Sequence, residues 1–398
     1  MSKLNRRQAL KLLAALGAGG AAAPILSACS NGNEPVAPND LSPVKIGLVV
    51  PQSGLFKTIG DELTNGFQLY LSMNDNRLGG RPVRLVTVDE GETADSGKAA
   101  VDRLIKQERV LALSGVASSA TMGAIKELVE SSQIPLIGSN ASPNKALPGV
   151  RYIWRTSCAD DESGQALGKY MAGKVGGGSV AVLAADYQAG REAVDGFRDK
   201  YGSVNIDPIY TAFGSSGPGV NFQPALNTVR TSGAKAVAAF YSGAQAVEFV
   251  KQYRQSGLSQ PLYAAGSLTE GVLLSQEGDA ARGIYTSSNY SPDLDNEANQ
   301  KFTAAYQKTF DSIPTTYAMA SYDAGFVLDK AIGLAGSGDP SPQLVNLALG
   351  KIGSIDSPRG SWQFNHSRTP LQTWWLRQVR QDGGVLSNTV LSELSTLG

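Results

Sequence analysis

From residue 44 onward the chain alternates short, continuous apolar runs with longer amphipathic stretches. Residues 44–50 read as a buried strand, 60–73 as a helix with Leu63, Phe67, Leu69 and Leu71 in its apolar set, 83–88 as a strand and 95–107 as a helix. Residues 110–116, 120–130 and 134–138 continue as strand, helix and strand. After Tyr152, Ile153 and Trp154 the rhythm restarts. Helices are expected over 163–175, 190–200, 222–231 and 246–256, and strands over 179–183, 209–213, 236–241 and 261–265. Continuous apolar strands alternating with amphipathic helices imply parallel sheets covered on both faces, so the fold class is α/β with two doubly wound lobes.

The end of the chain breaks this rhythm. Residues 295–310 and 318–335 read as two successive helices, and 362–364, 374–379 and 385–391 as strands. These pieces are expected to return to both lobes, so the chain crosses between them more than once. The expected division is 44–157 with 287–356 for the first lobe and 158–286 with 357–398 for the second.

The N-terminus follows a different logic. Asn5-Arg6-Arg7-Gln8-Ala9-Leu10-Lys11 precedes a Gly/Ala-rich apolar run over 12–25, which ends in Leu26-Ser27-Ala28-Cys29. The run is shorter than the ~20 apolar residues that span a bilayer, and it closes on small residues and a cysteine. Residues 1–29 therefore read as an export signal whose lipobox makes Cys29 the lipidated new N-terminus. The paired arginines suit twin-arginine export, although Ala9 stands where that signal usually carries Phe, which leaves Sec export open. Residues 30–43, rich in Asn, Pro and Ala, read as a flexible tether. Export with lipid anchoring to the outer face of the cytoplasmic membrane, or in a periplasm, is the expected localisation.

Composition removes several function classes. Lys plus Arg (35) balances Asp plus Glu (35), so no bulk field draws nucleic acid. With Cys29 lipidated, Cys158 has no partner for a disulfide, and the single His366 cannot build a conventional zinc site. Asp160, Asp161 and Glu162 beside Cys158 would raise its pKa and keep the thiol unreactive. No Gly-x-Ser-x-Gly elbow precedes a helix, and Gly176-Gly177-Gly178 lies before a strand, not after one. Neither a catalytic set nor a cofactor is expected.

Several segments carry a family resemblance. They are Pro51-Gln52-Ser53-Gly54 with Ile59-Gly60, Leu78-Gly79-Gly80-Arg81-Pro82-Val83, and Ser114-Gly115-Val116-Ala117-Ser118-Ser119. Arg155-Thr156 with Asp161 and Gly164, Asp356-Ser357-Pro358-Arg359-Gly360, and Phe364-Asn365 complete the set. In order and spacing the chain resembles the solute-binding proteins of ATP-driven importers, in the group related to the leucine/isoleucine/valine-binding protein. The resemblance implies a type 1 periplasmic binding fold, two lobes on a multi-crossing hinge, and closure on a small ligand. It also implies monomeric delivery to a membrane permease. A sensory module of the same fold, not coupled to transport, is the alternative from another class.

In such sheets ligands sit at the carboxyl ends of strands, where helix N-termini point outward. Ser118 and Ser119 open the helix after the third strand and can cap it while offering hydroxyls to an anion. By the resemblance, Ser139, Asn140 and Ala141 form the second anion loop, and Tyr187, Tyr241, Ser242 and Ser267 follow strands of the second lobe in the same way. Amino-acid binders of the family carry Thr at the position of Ala141, aromatic residues near Ala189 and Ala244, and an acidic group near Gly266. A buried ammonium without a partner costs several kcal/mol. The expected ligand is therefore a non-amino organic acid, with Phe56, Tyr187 and Tyr241 available to pack a flat ring. A branched-chain or other amino acid is the alternative, with Glu270 as the acid that would have to reach the cleft.

The lipobox reading makes a direct prediction: Cys29→Ser leaves an unlipidated precursor that moves from the detergent phase to the aqueous phase. Equal partitioning of mutant and wild type contradicts it.

Overall fold

The computed structural model describes residues 41–175, 179–202, 207–214, 220–336 and 338–398. Cys29 and the expected signal and tether up to residue 40 lie outside the described residues. The first lobe begins with β1 (Val44–Val50), α1 (Lys57–Met73), β2 (Arg77–Leu78), β3 (Arg81–Asp89) and α2 (Ala94–Arg103). It continues through β4 (Ala112–Gly115), α3 (Ser119–Ser132), β5 (Leu136–Gly138) and β6 (Ile153–Arg155). Its sheet has the order β2-β3-β1-β4-β5-β6. All neighbours but the short β2 run parallel, with Ile46 opposite both Leu85 and Ala112.

The second lobe follows with α4 (Glu162–Val175), β7 (Val180–Asp186), α5 (Gln188–Tyr201), β8 (Ile209–Ala212) and α6 (Gln223–Thr231). Next come β9 (Ala236–Phe240), α7 (Gly243–Gln255), β10 (Leu262–Ala265), α8 (Val272–Glu277) and β11 (Tyr285–Ser288). The last elements are α9 (Glu297–Phe310), α10 (Thr316–Leu334), α11 (Pro342–Leu349), β12 (Gln363–Phe364), β13 (Pro370–Asp382) and β14 (Val385–Leu397). The second sheet runs β12-β13-β11-β10-β9-β7-β8, with β14 paired to β13. The expected α/β class with two parallel sheets is what the chain forms; β13 and β14 add an antiparallel edge.

Each sheet is buried on both faces because its central strands are apolar at successive positions. In β7 every residue from Val180 to Ala185 is buried. On the first sheet one face packs on α1, α10 and α11 through Leu63, Phe67, Val327 and Leu349, and the other on α2 and α3 through Val101, Met122 and Ile125. The second sheet is likewise sandwiched, with Phe249 on one side and Phe197 on the other. Two glycines of the family segments are required by close backbone approach. A Cβ on Gly60 would lie 1.9 Å from the Pro51 carbonyl oxygen, and one on Gly164 1.9 Å from that of Ala193.

Some elements were not legible. Strand β11 reads Tyr-Thr-Ser-Ser, too polar for an apolar-run search, yet it is buried between β10 and β13. Helix α11, outside the strand–helix rhythm, carries ordinary start signals: Ser341 caps it by accepting the Leu344 N–H, and Pro342 occupies its first turn.

Three crossings join the lobes, and one buried guanidinium ties them together. Arg359, in the third crossing, pairs with Asp323 of α10 at 2.7 Å. It also donates to the carbonyls of Thr156 and Ser157 in the first crossing and to Gln372 of β13. Gln372 in turn accepts from Asn289 in the second crossing (3.0 Å). Ser357 and Trp362 complete the shell by donating to Asp323 at 2.8 and 3.1 Å. Breaking a buried pair from one side leaves an uncompensated charge. Arg359→Met is therefore predicted to lower unfolding stability by ~3–5 kcal/mol in urea titration; a loss below ~1 kcal/mol contradicts the assignment of Arg359 as the hinge tie.

Candidate ligand-binding cleft

Parallel strands deliver their carboxyl ends, and the N-termini of the helices that follow, to one edge of each sheet. Here the two edges face each other around a cavity of about 150 Å³. Six helices, α1, α3, α4, α5, α7 and α10, place an N-cap or first-turn residue in its wall: Phe56, Ser119, Ser163, Tyr187, Ser242 and Thr316. The N-caps Tyr187 and Ser242 make no side-chain capping bond, so the first amides of α5 and α7 are not satisfied that way. Among the described residues, no Lys, Arg or His lines the cavity.

The first-lobe wall is rigidly built. The Ser139 and Ala141 N–H groups donate to the Gly115 and Val116 carbonyls at 3.1 Å each, and the Asn140 side-chain amide donates to the Ala117 carbonyl at 2.8 Å. The buried Glu90 carboxylate accepts from the N–H groups of Ala117 (2.7 Å) and Ser118 (2.9 Å); burial pushes its pKa up to about 7. Between them Val116, a β-branched residue, is held at φ +67°, a strained conformation that its surroundings must enforce. Ser139 Oγ and Ser157 Oγ are buried and have no hydrogen-bond partner within the described chain. Both residues line the cavity.

Of the residues expected at the site, Phe56, Ser119, Ser139, Asn140, Ala141, Tyr187, Tyr241, Ser242 and Ser267 all line the cavity. Ser118 does not. Its hydroxyl accepts the Thr121 N–H and its own N–H goes to Glu90, so its polar atoms serve the start of α3. Tyr241 is at the wall, but its ring packs on Phe222 and Phe249 and its hydroxyl accepts from Thr211. Ser267 Oγ donates to the Tyr241 carbonyl. Tyr187 stacks on Phe213 at 4.1 Å between ring centroids, and Phe213 in turn lies 6.0 Å from Phe56 of the opposite lobe.

One reading about charge needs correction. Gly266 lines the cavity and no side chain fits there: a Cβ would lie 2.9 Å from Arg377 Nη2 and 3.0 Å from Ser288 Cβ. Glu270 is spent on Arg377 (2.7 Å) and on the Thr316 N–H (3.0 Å). Yet an acid does line the cavity: Asp160, which accepts from Ser119 Oγ at 2.8 Å and the Ser142 N–H at 3.2 Å. Burial pushes its pKa up to about 7. Its signal was its place beside Arg155-Thr156 in the first crossing. Ser157, Asn289, Thr316, Tyr317 and Trp374 carry no such local signal, because they reach the wall from the crossings, from the start of α10 and from β13. Cys158 lines the wall as well; burial first, then Glu162 and Asp160, push its thiol well above the usual range.

Opposite lobes touch beside the cavity. Glu192 of α5 accepts from the N–H groups of Asn144 (2.7 Å) and Lys145 (3.2 Å), Asp161 accepts from the Asn144 side chain, and Lys145 pairs with Asp195. The molecule is thus in a closed arrangement.

The sequence pattern of the periplasmic binding protein family matches residues 43–384. The chain belongs to that family. A similar curated relative is Leu/Ile/Val-binding protein homolog 6 of Brucella melitensis biotype 1, 26% identical over 371 residues, covering 89% of this chain and 92% of the relative. Among solved structures, the solute-binding protein of an R. palustris ABC transporter in complex with benzoate is 31% identical. It superposes with a TM-score of 0.81 over 89% of this chain and 96% of that one. A second R. palustris solute-binding protein, in complex with 4-hydroxybenzoate, is 25% identical with a TM-score of 0.82, covering 89% and 97%. This periplasmic binding protein is a solute-binding component of the ABC-transporter type, and its family is non-enzymatic in general.

The two serines separate the roles of cap and ligand contact. Ser118→Ala is predicted to lower stability by ~1 kcal/mol while leaving affinity within about twofold. Ser139→Ala is predicted to weaken ligand binding by roughly 0.5–1.5 kcal/mol with little change in melting temperature. Paired thermal melts and calorimetry check both; the reverse pattern contradicts the assignment.

Proposed function

We propose that this binding protein captures a small aromatic carboxylate in the cleft and delivers it to an ABC-type permease, tethered outside the cytoplasmic membrane through Cys29. The observation that carries the reading is an anion-favouring wall with no cationic side chain among the described residues, backed by flat apolar surfaces. Helix N-termini each favour an anion by ~0.3–1 kcal/mol, up to ~2 kcal/mol where partly buried. Several converging on one point can offset the several kcal/mol lost when a carboxylate leaves water. The rings of Phe56, Tyr187 and Trp374 offer stacking or edge contacts to an aromatic body. The cavity of about 150 Å³ equals the roughly 150 Å³ that accommodates benzene in an engineered apolar cavity. The benzoate and 4-hydroxybenzoate found in two structural neighbours support the same class.

A second reading, an amino acid, is favoured by one observation: Asp160 in the wall could receive an ammonium. The names of the Brucella relatives point the same way. Against it stands the apolar, ring-lined half of the cleft. A sensory role without transport uses the same closure, and genes for a permease and ATPase beside this one would favour transport.

Calorimetry with benzoate, 4-hydroxybenzoate, leucine, isoleucine and valine separates the readings. The prediction is micromolar or tighter affinity, about −8 kcal/mol, for an aromatic acid and none measurable for the three amino acids. Tight binding of leucine with no response to the aromatic acids overturns the proposal.

A further inference from the structure

Asp160 is a half-buried carboxyl in the wall of the cleft. It lies on the same side as the anion loops: Ser119 opens α3 and Ser142 belongs to the 138–143 loop, and both donate to it. These are its hydrogen bonds, and neither donor carries a charge. Of the charged and titratable groups that face it, two are acids, two are held neutral, and one, Arg155, is a cation that attracts it. Glu192 approaches from α5 and Asp161 from its own loop, and both are acids. Tyr187 and the Cys158 thiol are held neutral, their pKa values raised by burial. Arg155 of β6 is the nearby cation, but it bonds Ser142 Oγ (3.3 Å) and the Ser367 carbonyl, and it does not line the cavity. Two carboxylates a few ångströms apart in such surroundings do not both stay ionised.

Resting on the aromatic-acid reading, we propose that the ligand carboxylate binds against Asp160 with one proton held between the two carboxyl groups, so that capture of the anion takes up a proton from solvent. Asp160 then selects for acids that lack an ammonium: it donates to the ligand instead of pairing with it. The linkage sign follows. In the ligand-free cleft burial pushes Asp160 up to about 7, and a neighbouring anion raises it further. Below that pH the proton is already present. Above it the proton must be taken up, and affinity falls by about tenfold per pH unit.

The test uses the whole mature protein. Benzoate and 4-hydroxybenzoate are titrated calorimetrically from about pH 6 to about pH 9, in pairs of buffers with different ionisation enthalpies. The expected result is uptake approaching one proton per ligand at about pH 8, shrinking toward zero near pH 6, with the matching loss of affinity. Asp160→Asn, which mimics the protonated form, should bind at about pH 8 at least as tightly as wild type, with no proton uptake and a flat pH profile. Aromatic-acid binding with no proton uptake overturns this inference and leaves the function standing, and the wild-type measurement reads this even where the variant does not fold. Loss of binding in a folded Asp160→Asn also overturns the inference. Absence of aromatic-acid binding at every pH overturns the functional reading and this inference with it.

Discussion

The wall of the cleft offers no cationic side chain among the described residues, and an anion bound there, as proposed, would have to be held without one. A carboxylate leaving water loses several kcal/mol, and no Lys, Arg or His among the described wall residues compensates it. What remains are backbone dipoles and hydroxyls, each worth ~0.3–2 kcal/mol. Their effect is useful only if many converge, and convergence demands parallel strands ending at facing edges. The doubly wound topology is therefore the device that points six helix N-termini at one space. Fixed amides serve better than flexible lysines for this task because their positions are set before the ligand arrives.

Convergence across two lobes also requires that the lobes return to the same relative position. Arg359 and Gln372 make this reproducible by joining all three crossings to Asp323 through buried hydrogen bonds. Around that hinge the lobes meet through polar contacts that can part into water. The Glu192 carboxylate holds the backbone of the 144–145 loop, while the Phe56, Phe213 and Tyr187 rings gather at the other lip. The polar contacts among these can be replaced by water at modest net cost, which is what the proposed closure on a ligand requires.

The alternation of apolar runs with amphipathic stretches made the class and both sheets legible, because buried parallel strands announce themselves as continuous Val, Ile, Leu and Ala. Strand β11 did not, since its Thr and Ser are buried by neighbours that periodicity alone does not reveal. At the site, residues that follow a strand were found, because the chain itself places them at the edge. Ser118 caps the helix but falls outside the cavity wall, because Glu90, far away in sequence, holds the Ala117 and Ser118 N–H groups and sets the loop's orientation. Asp160, Asn289 and Trp374 come from the hinge crossings and the returning strand, whose placement depends on the assembled lobes. The absence of an acid at Gly266 has a local cause that the sequence does not show: the buried Arg377 guanidinium leaves no space for a side chain there.

The most direct test of the central claim is a crystal structure of the mature protein grown with 4-hydroxybenzoate. The account predicts both carboxylate oxygens within about 3 Å of hydroxyls and first-turn amides of the Ser119 and Ser139 wall, with the ring between Phe56 and Tyr187. A carboxylate at the solvent mouth of the cleft, with the ring against those amides, would contradict it.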